Sequence, residues 1–353
     1  AYPSTDWYNV VFRNWAPQNN ENISIRGGSE KIKYYGLFGY QNQETMIKKN
    51  GGSYTRYNLQ SNIDAVVTNR ITLSIDLMAI YDKSKFTGRG IGQGEGIIWQ
   101  DLYITKPWYP ASLPDPNKLA YGGIDVGSVA LSSDMDVWGY VLTKNRDIRT
   151  TATLVYDVPF VDGLTAKAMI NYRDWESYSK NFQKPYQFYT YNQAADLYTL
   201  AGGMRSAAQL REDVNFNRQL TQQYSLNYDR AFNQTHHITA LALFESIDQS
   251  GNNFWASRRD FVTPTIEQLF AGSDTGKDNS GSASEMGRMS VIGRVNYSYK
   301  DKYLVEAILR ADASAKFAKR NRWGYFPSVS VGWTLSKENF MANISMLDLL
   351  KVR

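Results

Sequence analysis

Few residues in this sequence carry the side chains on which enzymes most often depend. The chain of 353 residues contains no cysteine and only two histidines, the adjacent pair His236 and His237. Without cysteine there is no disulfide framework, no thiolate nucleophile and no cysteine-bound zinc. The two histidines lie at the start of a predicted strand, so their side chains should point to opposite faces and not share a metal ion. We therefore predict no catalytic residue, no metal site and no cofactor.

Three other patterns offer weaker chemical signals. Pairs of Asp and Glu are present, but nothing in the sequence fixes one of them as an acid and base pair. The run GRGIGQG at 88–94 lacks the Gly-Lys-Ser/Thr ending of a phosphate-binding loop and follows no βαβ pattern. Asp134 and Asp136 could contribute to a calcium site, although an isolated D-x-D pair is a weak signal. We interpret the glycine run as a flexible loop and predict that the chain is not an enzyme.

Aromatic residues are more distinctive, with 25 Tyr, 15 Phe and 9 Trp. Many of them lie in two long irregular segments, and loops on a rigid scaffold often carry binding sites. Flat aromatic faces suit sugar rings and peptide side chains. The residues that we predict to bind a substrate are Trp99, Trp108, Tyr109, Trp138, Tyr189 and Tyr191. The alternative is that these rings pack the loops together or contact a partner protein.

The elements that must position these loops are predicted from alternating apolar and polar residues, clearest between Gly287 and Met341. Separating the residues by parity gives one face without charge and with aromatic residues near its ends. That face consists of Met289, Val291, Gly293, Val295, Tyr297, Tyr299, Tyr303, Val305, Ala307, Leu309, Ala311, Trp323, Tyr325, Pro327, Val329, Val331 and Trp333. The charged residues of the opposite face are Arg294, Glu306, Arg310 and Asp312. The pattern predicts an antiparallel sheet with one apolar side.

Similar alternation recurs along the chain and predicts about eleven strands and the start of a twelfth. The earlier strands are expected at about 20–27, 31–42, 53–66, 70–82, 146–158, 164–175, 213–229 and 236–248. Short turns alternate with longer connections, and the longest loops are expected at about 83–145, 177–212 and 249–286. This rhythm is typical of an all-β, up-and-down transmembrane β-barrel with turns at one end and loops at the other.

A soluble β-sandwich or propeller would also alternate, with its apolar face turned to a core. Three observations favour a membrane barrel. The apolar faces contain many small residues, which would fill a core poorly; aromatic residues gather at both strand ends; and the opposite faces are strongly polar. No apolar run approaches the roughly 18 residues of a membrane-spanning helix. Both faces are apolar at about 31–42 and 236–244, where the assignment stays open.

Several segments resemble a known family. GRVNYSYKDKY matches a G-R-x-N-Y-x-Y-x-D-[RK]-Y pattern, and RADASAKF resembles R-x-D-G-S-S-R-F, with Ala313 where glycine is usual. The resembling segments are 24–31, 39–43, 293–303, 310–317, 321–328 and 331–333. In these segments the chain resembles the barrel of SusC/RagA-type TonB-dependent transporters, the outer-membrane importers of Bacteroidetes.

The resemblance implies active import across the outer membrane. Such a transporter is a 22-stranded barrel, and we expect residues 1–353 to form about half of it. An N-terminal plug domain, which TonB contacts, is expected to be absent from this chain. A SusD-like surface lipoprotein and a cargo of glycans or oligopeptides are the implied partners, together with outer-membrane lipid. Half a barrel would leave unpaired edges in lipid, so we expect a fragment of a longer chain.

Two functional classes remain open from the sequence. One is the energy-coupled importer, in which Arg294, Glu306, Arg310 and Asp312 face the lumen and the plug. The other is a passive porin or a surface adhesion barrel. The net charge of +5 is scattered rather than clustered, so we predict no nucleic-acid partner.

Overall fold

The computed structural model describes residues 3–90, 96–341 and 346–353. Its strands are β1 (Gln18–Gly28), β2 (Ile32–Glu44), β3 (Gly52–Thr68), β4 (Ile71–Thr87), β5 (Leu119–Ala120), β6 (Gly139–Asp157), β7 (Leu164–Gln183), β8 (Tyr186–Asn192), β9 (Leu197–Met204), β10 (Gln209–Phe232), β11 (His236–Arg258), β12 (Asp278–Tyr299), β13 (Tyr303–Ser314), β14 (Trp323–Thr334) and β15 (Lys351–Val352). The α-helices are α1 (Trp7–Val11), α2 (Gly96–Ile104), α3 (Val129–Ser133) and α4 (Met135–Trp138). Short 3-10 turns occur at Gly88–Gly90, Leu269–Ala271, Asp274–Gly276, Lys319–Asn321, Leu335–Lys337 and Asn339–Met341.

Twelve of these strands form one sheet in the order β1-β2-β3-β4-β6-β7-β10-β11-β12-β13-β14-β15. Every neighbouring pair in it is antiparallel, so the chain runs up and down the sheet without a crossover. The strands β5, β8 and β9 form a small separate sheet within the long connections. The predicted all-β, up-and-down architecture is confirmed, including the eleven long strands and the start of a twelfth. Among the described residues, no helix is long and apolar enough to cross a membrane.

The strands extend further at the loop end than the sequence predicts. β10 begins at Gln209 and β11 continues to Arg258, and their hydrogen-bond ladder is unbroken over this length. The loop bounds predicted at 83–145, 177–212 and 249–286 are therefore corrected to 88–138, 184–208 and 259–277. The physical reason is that the backbone ladder continues where the apolar alternation stops, because polar side chains are tolerated on both faces there.

Cross-strand register establishes which residues share a face. Leu309 lies opposite Gly293 and Pro327, and Val291 lies opposite Phe244 and Ala311. Following these pairs across the sheet gives one face, the apolar band, to which each long strand contributes an exposed apolar side chain. One example of a band residue from each long strand, in the order of the sheet, is given by Ile25, Phe38, Leu59, Ile75, Leu154, Ile170, Leu226, Phe244, Val291, Leu309 and Val329. The alternation predicted from the sequence thus produces a continuous apolar surface rather than a buried core.

Tight turns join the strands at the end opposite the long loops. Lys300 and Asp301 have φ values of 49° and 52°, and Asn233 and Gln234 have φ values of 51° and 54°. Positive φ values of this kind bend two antiparallel strands back on each other within a few residues. Gly163 adopts φ +80°, and a Cβ there would lie 2.2 Å from the carbonyl oxygen of Asp229. These turns hold the register of their hairpins.

The buried apolar residues lie mainly in the long loops. Together with residues 3–17, the connections 96–138, 184–208 and 259–277 form a packed region at the loop end, here called the loop cap. One of its clusters consists of Trp7, Val11, Phe12, Ile98 and Val129. A second consists of Ile124, Val126, Leu131, Trp138, Tyr186 and Phe188. The N-terminal segment contributes α1, and β1 begins at Gln18, slightly before the predicted 20.

Candidate functional site

The face opposite the apolar band carries charged pairs, both between neighbouring strands and within one strand. Arg294 on β12 donates from Nε to Oε2 of Glu306 on β13 over 2.7 Å. Arg310 and Asp312, both on β13, form an ion pair of 2.7 Å between Nε and Oδ2. All four residues predicted to face the lumen lie on this polar face. That they face a lumen and a plug stays a prediction.

A further charge cluster on this face involves a residue that the sequence did not single out. Arg149 and Arg173 lie directly opposite each other on β6 and β7, an arrangement of like charges that is unfavourable by itself. Asp147 compensates by accepting from both: its Oδ2 lies 2.8 Å from Arg149 Nη2 and 2.9 Å from Arg173 Nη2. Only the strand register reveals this grouping, because Asp147 is distant from Arg173 in sequence.

Trp138, which was predicted to bind a substrate, is buried in the loop cap. Its side chain is 3% exposed and packs against Tyr186 in the loop cap. The guanidinium carbons of Arg205 and Arg89 lie 4.8 and 5.2 Å from its ring centroid. The prediction that Trp138 binds a substrate is therefore corrected. Its ring is enclosed by the cap and by two cations, so it stabilises the cap instead.

The surroundings of Trp138 are themselves held by buried polar contacts. Arg89 donates from Nε and Nη2 to the two carboxylate oxygens of the buried Asp101, both over 2.9 Å. The hydrogen bond to this carboxylate raises the pKa of Arg89. The hydroxyl of Tyr186 donates to the carbonyl oxygen of Val126 over 2.9 Å, and burial raises the pKa of Tyr186 above its usual range. These contacts hold the side chains of Arg89 and Tyr186 in place, whereas Trp138 Nε1 and Arg205 Nη1 have no hydrogen-bond partner among the described residues.

Trp99 and Trp108 present open aromatic surface, as a binding role requires. Their side chains are 52% and 50% exposed. The inner side of Trp99 stacks on Phe12 with ring centroids 4.6 Å apart, which fixes the orientation of its exposed side. Tyr109 is half-buried and meets the edge of Tyr121 at 5.0 Å. Trp99, Trp108 and Tyr109 all come from α2 and the segment after it, on one part of the cap.

Tyr189 and Tyr191 lie on the β8–β9 hairpin. The ammonium of Lys118 sits 4.5 Å from the ring centroid of Tyr189. Tyr191 packs against Tyr198 at 4.6 Å, and its hydroxyl donates to Asp196 over 2.8 Å. The structure thus divides the predicted binding residues into the α2 group and the hairpin group. Lys118 was not predicted, since only the fold brings it beside the hairpin.

The remaining chemical signals have structural explanations. Asp134 accepts from the backbone N–H of Asp136 at the start of α4 and pairs with Lys49 at 2.8 Å. His236 and His237 contact Tyr297 and Asp229, respectively, each over 2.7 Å, from opposite faces of the sheet. Gly88–Gly90 form a 3-10 turn, and residues 91–94 of the glycine run lie outside the described residues.

Comparison with known proteins gives consistent relatives, although no family model matches the chain. TonB-dependent receptor P39 of Formosa agariphila is 27% identical over 95% of this chain and 30% of its own length. TonB-dependent receptor SusC of Bacteroides thetaiotaomicron is 23% identical over 99% of this chain and 34% of its own length. The chain thus spans about a third of the curated relatives it matches. These relatives are receptors rather than enzymes.

A solved structure supports the same fold. The RagAB peptide transporter superposes with a TM-score of 0.75 at 18% identity, over 96% of this chain and 36% of the transporter chain. The predicted resemblance to the SusC/RagA type of TonB-dependent transporter is confirmed, and the chain has the fold of part of its barrel.

Proposed function

We propose that this chain forms part of the barrel wall of a TonB-dependent outer-membrane importer. The observation that carries the proposal is the apolar band, which crosses all eleven long strands. Side chains within it are widely exposed, for example Ile25 at 64%, Leu309 at 52% and Val329 at 73%. Soluble proteins rarely expose continuous apolar surface of this extent, whereas a bilayer covers it favourably. The polar face then lines the lumen.

Aromatic residues border the band at both ends, which supports the same placement. At the turn end Tyr299, Tyr303 and Trp333 form a row with successive centroid distances of 6.2 and 6.3 Å. At the loop end Tyr57 and Tyr81 stack at 6.4 Å. Tyrosine and tryptophan favour the interface between hydrocarbon and water, so these rows correspond to the two membrane surfaces. In this orientation the turns are periplasmic and the loop cap is extracellular.

The exposed aromatic rings of the loop cap and the named relatives indicate the class of cargo and the partner proteins. The exposed rings of Trp99, Trp108, Tyr189 and Tyr191 suit sugar rings or peptide side chains. We infer a cargo of glycans or oligopeptides, a SusD-like surface lipoprotein on the loop cap, and TonB acting through a plug domain elsewhere in the full-length protein. The match to a named peptide transporter and to SusC supports this inference.

The decisive experiment separates energy-coupled import from passive diffusion. Cells that carry the full-length transporter as their sole route for a labelled oligosaccharide or oligopeptide are compared with cells lacking TonB. We expect uptake to stop without TonB or with a protonophore, while binding to the cell surface persists. Continued uptake in both conditions would identify a passive porin, and surface binding without any uptake would identify an adhesin.

A further inference from the structure

A basic cavity opens on the polar face at the loop end of β11 to β14. Its volume is about 490 Å³, and Arg288, Arg310 and Arg322 line it together with Phe317 and Phe326. It lies beneath the connection 315–322 between β13 and β14. The site is separate from the two aromatic groups of the loop cap, and none of the sequence patterns predicts it.

The carboxylates of this cavity already have partners. Asp312 is paired with Arg310 at 2.7 Å, and Oε2 of Glu245 accepts from Gln223 Nε2 over 2.6 Å. Arg322 donates from Nε to the carbonyl oxygen of Phe317 over 3.1 Å. Within the described part of the chain Arg288 has no ion pair, and the terminal nitrogens of Arg322 have none either. The cavity therefore holds three arginines against two carboxylates, and, within the described residues, the free donors are on Arg288 and Arg322.

The connection above the cavity adds to this charge. Lys316, Lys319, Arg320 and Arg322 occur within residues 315–322, and no acidic residue is among them. The three arginines of the cavity outnumber its two carboxylates, Glu245 and Asp312. A concave site with an excess of one sign of charge concentrates ions of the opposite sign and accelerates their arrival. Phe317 and Phe326, which are 59% and 57% exposed, give the same cavity apolar walls.

We propose that this cavity binds a carboxylate or sulfate group carried by the imported cargo, so that the transporter favours acidic cargo. The guanidinium groups of Arg288 and Arg322 offer paired donors that match two oxygens of such a group. The phenylalanine rings contact the apolar part of the cargo next to its charge. This inference rests on the proposed function, because only an importer passes cargo along this face.

Binding measurements on the full-length transporter in lipid nanodiscs test the proposal. The probes are fluorescently labelled tetragalacturonate, a sulfated tetrasaccharide, hexaglutamate and neutral maltotetraose. For at least one acidic probe we expect Arg288→Gln/Arg322→Gln to weaken binding about tenfold or more, because charge-assisted hydrogen bonds are lost. Raising the salt concentration should also weaken the binding of that probe to the wild-type protein, because salt screens the charges. The identity of the acidic probe that responds distinguishes carboxylate from sulfate and sugar from peptide.

The matched control is Lys83→Gln/Lys144→Gln. It removes two positive charges from the loop end of β4 and β6, on the face that carries the apolar band and not on the face of the cavity. It should leave binding of the acidic probe within twofold of wild type. Unchanged acidic binding in the arginine variant, or an equal loss for maltotetraose, overturns the inference. Wild-type protein that imports neutral cargo with TonB but binds no acidic probe overturns it too, while the proposed function stands. If the protein binds the acidic probe through these arginines but shows no TonB-dependent uptake, the proposed import function is wrong and the anion-binding cavity stands.

Discussion

Trp138 and Trp99 lie in the same loop cap, yet their surroundings give them different roles. Trp138 is enclosed between Arg89 and Arg205, whereas half of Trp99 is open to solvent. A buried aromatic ring contributes through packing, and an exposed ring supported from behind is available to a ligand. Residue type is equal in the two cases, so burial alone separates them.

Truncation of Trp138 should therefore loosen the cap. Replacing a buried tryptophan by alanine removes about 3–5 kcal/mol of packing free energy, here from the local unfolding of the cap. We expect Trp138→Ala to make residues 96–138 and 184–208 sensitive to protease in otherwise assembled protein. Trp99→Ala serves as the control and should leave the cleavage rate close to wild type. Equal cleavage of the two variants would contradict the assigned role of Trp138.

Removal of the exposed aromatic rings should weaken cargo binding and leave the folding stability of the loop cap unchanged. We expect the combined change of Trp99, Trp108, Tyr189 and Tyr191 to alanine to reduce cargo affinity tenfold or more, since an aromatic contact is worth roughly 0.5–1.5 kcal/mol and a tenfold change corresponds to about 1.4 kcal/mol. Phe160→Ala, an exposed ring at the turn end, is the control. Titration of surface binding with labelled cargo measures both. Unchanged affinity in the quadruple variant would assign these rings to packing or to the lipoprotein.

Glu338 provides a prediction about pH. Tyr303, Lys302 and Trp333 donate to its carboxylate over 2.8, 3.0 and 3.1 Å, and these hydrogen bonds lower the pKa of Glu338 to about 2. Because the pKa of Glu338 is lower in the folded state, these hydrogen bonds stabilise the fold fully above the ordinary pKa of about 4.5. This stabilisation is lost as the pH falls toward 2. We expect hydrogen exchange at residues 335–341, corrected for intrinsic rates, to rise across that interval. Glu338→Gln should remove the pH dependence.

At the level of elements, β13 shows how one strand serves two environments. Leu309 belongs to the apolar band and is 52% exposed, while the next residue, Arg310, points to the polar face and pairs with Asp312. Side-chain alternation with a period of two places neighbours on opposite faces. Within the apolar band, a strand of this kind tolerates charge on one face only.

Two substitutions in β13 test this assignment directly. Leu309→Arg should cost about 2–4 kcal/mol of folding free energy if it lies near the bilayer midplane, because it places a charge in lipid. Arg310→Leu removes a charge from the polar face and should assemble normally. Folding of the full-length protein into lipid vesicles, followed by its heat-dependent gel mobility, measures both. Similar behaviour of the two variants would reverse the assignment of the faces.

At the level of the whole molecule, the sheet ends in two open edges. Within residues 3–90, 96–341 and 346–353, β1 pairs only with β2, and β14 pairs with β15 through Trp333 and Thr334. In the proposed membrane placement, unpaired backbone groups along these edges are not tolerated in hydrocarbon, so further strands must pair with them.

Residues 1–353 produced alone should therefore fail to assemble in a bilayer. We expect the isolated segment to aggregate in lipid vesicles and to remain accessible to protease, whereas the full-length protein becomes resistant. Addition of the complementary part of the barrel during folding should restore resistance if the two parts pair at these edges. Independent insertion of the isolated segment would indicate that it closes on itself.

The sequence by itself determined the number of long strands, the turn end and loop end, and the apolar and polar faces outside 31–42 and 236–244, where only the strand register decides the face. These features depend on a period of two and on local turn residues such as Lys300 and Asp301, which are readable without knowledge of distant contacts. The family resemblance of residues 293–303 and 310–317 was equally visible in the chain.

Only the tertiary structure decided the extent of the strands beyond the apolar band, the burial of Trp138 and the gathering of Arg288, Arg310 and Arg322. The strand ends depend on backbone hydrogen bonds that no side-chain pattern marks. Burial and the cavity depend on which segments the register and the loop cap bring together. Periodicity assigns a side chain to a face, but its neighbours on that face are set by contacts between residues far apart in sequence.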